Sequence, residues 1–156
     1  YKHTGYPRTG KYVSNGTGRD GINKTPSDSR QSTDLDSSYF DVDVEIKLLE
    51  SSVITKESNE LNVELQNKTT GPWLFGRVLL LEVKIGENWF VCETNESVTW
   101  PMDAYELDPG SSIPLGIRLG DYYPPLERGV YRLISPLYKA GEKEFHKAAV
   151  FEFRIK

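Results

Sequence analysis

Every second residue from Ser111 to Leu119 is small or apolar: Ser111, Ile113, Leu115, Ile117, Leu119, with Ser112, Pro114, Gly116 and Arg118 between them. Successive side chains of an extended chain point to opposite faces, so this period predicts a strand with one buried face. The same period returns at Phe40-Val42-Val44-Ile46-Leu48, alternating with Asp41, Asp43, Glu45 and Lys47. It recurs at Leu61-Val63-Leu65 and at Ala149-Phe151-Phe153-Ile155. Gly129-Val130-Tyr131-Arg132-Leu133-Ile134 reads as a further strand after a turn region at 120–128. Trp73-Leu74-Phe75-Gly76 leads into Arg77-Val78-Leu79-Leu80-Leu81-Glu82-Val83, a run apolar on both faces, which predicts a central strand covered on both sides. Ile85-Gly86-Glu87-Asn88 then reads as a tight turn, and Trp89 to Cys92 as the second arm of a hairpin.

Between these stretches lie turn signals, above all Asn67-Lys68-Thr69-Thr70-Gly71-Pro72 and Asp108-Pro109-Gly110. Residues 97–106 are less regular: Trp100-Pro101 breaks any strand there, and Met102 to Leu107 predicts a turn. Residues 137–147 read as a polar loop with Gly141 at its middle. The total is about seven strands with no helix, which is the count of an immunoglobulin-like sandwich. Leu126-x-x-Gly129-x-Tyr131 adds the pattern of a tyrosine corner, in which a tyrosine at the start of a strand turns its hydroxyl back onto upstream backbone. The predicted fold is therefore an all-β, immunoglobulin-like antiparallel sandwich, with Tyr131 as its structural corner.

Residues 1–38 differ from the rest. They are dense in Gly, Ser, Thr, Asn and Asp and carry no sustained period. By composition they form an irregular polar arm or linker, a tether in an exported protein, with residues 39–156 as the sandwich. The rival reading makes Lys11-Tyr12-Val13 a short edge strand.

Bulk properties narrow the function. The 156 residues suit one domain, and 37% hydrophobic with 12% aromatic content suffices for a core. A net charge of −4, spread along the chain, gives no electrostatic footprint for nucleic acid. No apolar run approaches the ~20 residues that cross a bilayer. The single cysteine, Cys92, excludes an intramolecular disulfide. Asn15, Asn23, Asn67 and Asn95 begin Asn-x-Ser/Thr triplets, which such a composition also produces by chance.

Candidate chemistry is sparse. His3 and His146 have no partner motif, and Cys92 sits in an apolar strand. Asp41-x-Asp43-x-Glu45 reads as a solvated strand face, because calcium draws ~6–8 oxygens from a curved loop. No catalytic, cofactor or metal residue is assigned. Trp73, Trp100, Tyr122 and Tyr123 stand beside prolines in expected loops or strand ends and form the candidate binding surface, against the competing expectation that two or three of them plug the open ends of the sandwich.

The series Leu65-Gln66-Asn67, Gly76, Leu81-Glu82, Trp89, Leu107-x-Pro109-Gly110, Leu126-x-x-Gly129-x-Tyr131-Arg132-Leu133 and Phe151-x-Phe153-x-Ile155 resembles the bacterial immunoglobulin-like domain family, from about Phe40 to Lys156. The resemblance implies a cysteine-poor β-sandwich of exported proteins and lipoproteins, mainly of Gram-positive bacteria. Its place is extracytoplasmic, at the cell envelope, commonly behind a lipidated N-terminal cysteine. No catalytic residues come with the family. Leu133 stands where an antibody domain has its second disulfide cysteine, so apolar burial must replace the cross-link.

Three functions follow as expectations. The first is a non-enzymatic binding or spacer module whose partner is an unknown protein or glycan. It touches a membrane only through a lipid anchor upstream of this chain. The second is a proteinase inhibitor presenting the stiff loop Tyr122-Tyr123-Pro124-Pro125. The third is a glycan-acting enzyme using Asp103 and Glu106 near Trp100, with Asp108 beside them.

Overall fold

The computed structural model describes residues 30–49, 53–55, 59–95 and 104–156. Among these, ten strands and two short 3-10 turns are present, and no α-helix. The strands are β1 (Val44–Leu48), β2 (Val53–Ile54), β3 (Asn59–Asn67), β4 (Trp73–Phe75), β5 (Leu80–Ile85), β6 (Asn88–Val91), β7 (Tyr105–Leu107), β8 (Ser112–Arg118), β9 (Gly129–Leu137) and β10 (Lys147–Ile155).

Two antiparallel sheets face each other. In one, β3 pairs with β1 and β2 along one edge and with β8 along the other. The second sheet has the order β10-β9-β5-β6. A two-stranded ribbon, β4 with β7, completes the fold. The alternation read from the sequence decides which side chains meet. Leu61, Val63 and Leu65 of β3 point inward against Leu81 of β5, Leu133 of β9 and Phe153 of β10. Leu61, Val63, Leu65 and Leu133 have no exposed surface. Each buried leucine contributes ~1.5–3 kcal/mol by leaving water, so this layer does the holding that a disulfide performs elsewhere.

The second sheet is buried on both faces around Leu80, Ile134 and Ala148, while Lys84, Glu152 and Arg154 are exposed. Leu80, Ile134 and Ala148 point away from the sandwich core and form a second apolar cluster with Leu35, Val78, Tyr138 and Phe145. Its cover is an N-terminal strap, residues 30–40, together with the loop after β9. The strap runs antiparallel to β6: the Thr33 N–H donates to the Trp89 carbonyl at 3.0 Å, and the Val91 N–H to the Gln31 carbonyl at 2.8 Å. It ends in a 3-10 turn, Ser37–Phe40, capped by the Asp36 carboxylate accepting from the Ser38 N–H. Residues 30–38 of the stretch read as arm therefore lie on the sandwich. Only Leu35 among them is a large aliphatic residue, too weak a signal for any window of composition.

Other boundaries also shift. The first strand starts at Val44 rather than Phe40, because the capped turn takes Ser37 to Phe40. The stretch Trp73 to Val83 is two strands, not one, broken between Phe75 and Leu80. Tyr105–Leu107, expected to be a turn, pairs with β4 instead. The 137–147 loop is not simply polar, since Leu137, Tyr138 and Phe145 are buried. Tyr138 and Phe145 stack edge to face at 6.0 Å between centroids, closing the outer cluster.

Candidate functional site

Of the four aromatics read as surface, the structure places one in the core. Tyr123 is 2% exposed, and its hydroxyl donates to the Leu79 carbonyl at 3.0 Å. Burial raises its pKa far above the usual phenol range. A 3-10 turn, Leu119–Asp121, swings Tyr123 inward, its N–H donating to the Leu119 carbonyl at 2.8 Å. It plugs the end of the sandwich, as expected of two or three of these aromatics, although the prolines that follow have the composition of a loop tip. In the expected inhibitory loop Pro124 and Pro125 are exposed, Tyr122 is half-buried and Tyr123 is withdrawn into the core.

Trp73 is half-buried. Its Nε1–H donates to the Thr69 hydroxyl at 3.2 Å, and the Lys139 ammonium sits 3.8 Å from its ring centroid. Lys139 is held there by donating to the Pro72 carbonyl at 3.2 Å. A sugar-binding indole needs an open face, and here a lysine from the chain itself lies over one. Trp100 and Asp103 lie outside the described residues. Glu106 and Asp108 are both exposed, on β7 and in the turn that follows it.

Tyr122 is half-buried and borders an open cleft of about 460 Å3 at the β8 side of the sandwich. Glu60 and Asn62 of β3, Gly116 and Arg118 of β8, and Arg77 share its wall. Arg118 and Glu60 form an ion pair at 3.2 Å, with both side chains well exposed, so its net worth is at most ~1 kcal/mol. Arg77 Nε–H donates to the Tyr105 hydroxyl at 3.3 Å. Gly116 matters for the shape: a methyl group there would meet the Asn62 Oδ1 at 2.9 Å, closer than real contacts allow. The cleft offers guanidinium, carboxylate, amide and phenol groups around a small depression, which suits hydrogen bonding to a polar ligand.

The remaining polar groups that the sequence flagged are engaged in structure. Asn67, the start of a glycosylation triplet, is fully buried. Its amide donates to the Leu107 and Gly71 carbonyls at 2.8 and 3.0 Å, and its oxygen accepts from the Thr69 N–H at 2.8 Å. Its backbone is bonded too, to Ser111 and Gly110. Tyr131 turns its hydroxyl back to donate to the Glu127 carbonyl at 2.7 Å. Its pKa is pushed up to about 12, mainly by burial. Cys92 is likewise pushed up to about 12 by burial, so it is protonated and a poor nucleophile at neutral pH.

One constellation escaped the sequence reading. Glu82 of β5 has no exposed surface, yet it stands opposite Arg132 of β9 in the ladder. Arg132 Nε–H donates to Glu82 Oε1 at 2.8 Å, with Nη2 at 2.6 Å from the same oxygen. The Thr33 hydroxyl donates to Oε2 at 2.6 Å. The guanidinium lies over the rings of Trp89 (4.5 Å) and Phe40 (4.8 Å). A glutamate inside an otherwise apolar run, with an arginine one strand away, was the available signal. Among the described residues, no cluster of three or more His, Cys, Asp or Glu is placed to hold a metal ion.

The profile of the bacterial Ig-like domain matches residues 41–152. The chain belongs to that family. Its all-β, antiparallel architecture is the immunoglobulin-like sandwich that the sequence predicts. No curated protein matches the chain. Among solved structures, native alpha-2-macroglobulin from Escherichia coli, from domain MG7 to the C-terminus, aligns at 15% identity and a TM-score of 0.39. That match covers 76% of this chain and 17% of the macroglobulin. The CARDB domain of a Pyrococcus furiosus protein, solved with di-metal ions, aligns at 15% identity and a TM-score of 0.35. It is covered completely by 80% of this chain. Among the described residues, no helix is long and apolar enough to cross a membrane.

Proposed function

We propose that this bacterial Ig-like domain is a non-enzymatic, extracytoplasmic module of the cell envelope, working as a binding or spacer unit. One observation carries the reading: Asn67, Glu82, Arg132 and the two buried phenols, polar groups set inside the sandwich, are engaged in holding it together. Asn67 ties turns together, Glu82 is closed by Arg132 and Thr33, and the Tyr123 and Tyr131 hydroxyls end on backbone carbonyls. Catalysis by a nucleophile requires a base within hydrogen-bond reach and an accessible position for substrate. Burial holds the Cys92 thiol protonated, and the Tyr123 and Tyr131 hydroxyls are spent on backbone carbonyls, so none of the three is an activated nucleophile. Membership of a family common on bacterial surfaces supports the extracytoplasmic location, and a lipid anchor upstream would fix the module to the envelope.

If the module binds a ligand, the cleft beside Tyr122 and Arg118 is the surface that would take it, with a glycan or a polar peptide as occupant. The test is a glycan and peptide array with the purified chain, followed by Arg118→Ala and Tyr122→Ala. Binding that falls about tenfold or more in both variants, with melting unchanged, supports the cleft. Turnover of any glycan that Glu106→Gln abolishes, or stoichiometric inhibition of a subtilisin-like protease, would overturn the non-enzymatic, non-inhibitory reading. Binding to nothing on either array leaves the spacer role as the one supported.

A further inference from the structure

β8 forms one edge of the first sheet, and the cleft beside Tyr122 opens along that edge. In an antiparallel pair, bonded and non-bonded residue pairs alternate. The Asn67 N–H donates to the Ser111 carbonyl at 3.0 Å, and the register runs on through Leu65 with Ile113, Val63 with Leu115 and Leu61 with Ile117. These residues of β8 therefore spend their main-chain groups on β3. The intervening residues of β3 bond the other way, as the Leu49 N–H donating to the Asn62 carbonyl at 2.7 Å shows. Ser112, Pro114, Gly116 and Arg118 are left turning their main-chain groups away from β3, to the edge. Among the described residues, no strand pairs with β8 on that side. Pro114 has no N–H and stops any added ladder there, so the usable edge is Gly116 to Arg118, alongside the cleft.

The side chains along this edge set what fits. Arg118 and Gly116 face solvent, whereas Ile117 is buried and makes the apolar part of the cleft with Leu79 and Leu115. Arg118 has Glu60 as its ladder partner on one side, 3.2 Å away. On its other side a residue of an added strand would stand directly opposite it on the same face, where an opposite charge is attracted and a like charge repelled. Gly116 carries no side chain and borders the open volume of the cleft, which leaves space for a ring on the residue opposite it.

We infer that this edge takes an extended peptide, added antiparallel to β8, that reads acidic, apolar, aromatic in consecutive positions. The acidic residue stands opposite Arg118, the apolar one opposite Ile117 and turned into the cleft, and the aromatic one opposite Gly116, with which it exchanges both main-chain hydrogen bonds. This rests on the cleft being the module's binding surface, and it names the occupant: the main chain supplies the attachment and Arg118 the preference in charge.

The probe is the capped peptide acetyl-Thr-Glu-Val-Tyr-Thr-amide, titrated into the isotope-labelled full chain while the amide signals are followed by NMR. The Gly116 signal should shift. Methylating the peptide's tyrosine nitrogen, which removes the N–H given to the Gly116 carbonyl, should abolish that shift. Replacing the peptide's glutamate by lysine should weaken binding about fivefold, and Arg118→Glu should reverse the preference so that the lysine peptide binds more tightly. Should Arg118→Glu fail to fold, Arg118→Gln decides instead, since it should erase the difference between the two peptides. Glutamate and lysine peptides that bind alike, or an N-methylated peptide that binds as well as its parent, overturn strand addition at this edge. So does a Gly116 signal that never moves up to the solubility of the peptide. In that case a ligand from the arrays that still shifts Tyr122 keeps the cleft as a binding surface while this occupant is rejected.

Discussion

The amide of Asn67 donates to the carbonyl of Leu107 at 2.8 Å, joining the end of β3 to the end of β7 across forty residues of sequence. The Leu65-Gln66-Asn67 and Leu107-x-Pro109-Gly110 motifs are therefore two halves of one junction. Gly110, at φ +80°, gives the turn a backbone that side chains rarely adopt, and its N–H donates to the Asn67 carbonyl at 2.7 Å.

Asn67→Asp should destabilise the fold by ~2–4 kcal/mol, because a carboxylate would face two carbonyls it cannot bond. Asn67→Ala should cost somewhat less, leaving the same carbonyls without donors but adding no charge. Urea titration checks both: the midpoint should fall for each variant, in that order.

The Glu82–Arg132 pair predicts strong non-additivity. Arg132→Met alone leaves a carboxylate in an apolar layer and should cost about 3–5 kcal/mol. Glu82→Leu with Arg132→Met removes both charges and should cost clearly less than the two single changes added together. A double-mutant cycle measures the difference. Additive costs would mean the two groups do not act as a pair.

Tyr131→Phe keeps the ring, which stacks on Phe153 at 5.8 Å, and deletes only the bond to Glu127. The expected loss is about 1 kcal/mol. Tyr131→Ala should cost about 3–5 kcal/mol, since it also opens a cavity between the sheets. Chemical denaturation of the two variants separates the corner bond from the packing of the ring.

Stability should fall on the alkaline side. Cys92 and Tyr131 ionise at about 12 in the folded chain, against ordinary values of 9.0 and 10.0, and Tyr123 is raised further. The unfolded chain then releases these protons first, so it binds fewer protons than the folded chain above pH 9, and stability drops as pH rises. Melting temperature should hold between pH 7 and about 8.5 and decline from roughly pH 9 upward. Tyr123→Phe removes one of the titrating groups and should make that decline shallower. A decline of unchanged steepness would show that Tyr123 does not contribute to it.

Much of the sandwich was legible because its strands obey one rule strictly. β1, β3, β8 and β10 alternate, and a two-residue period has no helical reading over that length. β5 was legible for the opposite reason, since chain buried on both faces carries apolar residues on both, and β9 from the Leu126-x-x-Gly129-x-Tyr131 corner at its start. What escaped depends on contacts distant in sequence. Three-residue strands such as β4 and β7 are too short for a period, and they exist because each finds the other. The strap follows no pattern of its own, since its Thr33, Leu35 and Phe40 are ordered by Glu82, Ile134 and Arg132 some fifty to one hundred residues later. Which of the four aromatics plugs the sandwich was not legible for a local reason: Pro124 and Pro125 give Tyr123 the composition of a loop tip, while its ring fills the core.

The lone thiol of Cys92 has a mechanical consequence. With no covalent loop between strap and last strand, nothing limits how far the chain extends once its hydrogen bonds and apolar contacts give way under tension. Drawn straight, residues 30–156 would reach about 440 Å. When slack returns, the same burial can rebuild the sandwich without any oxidant.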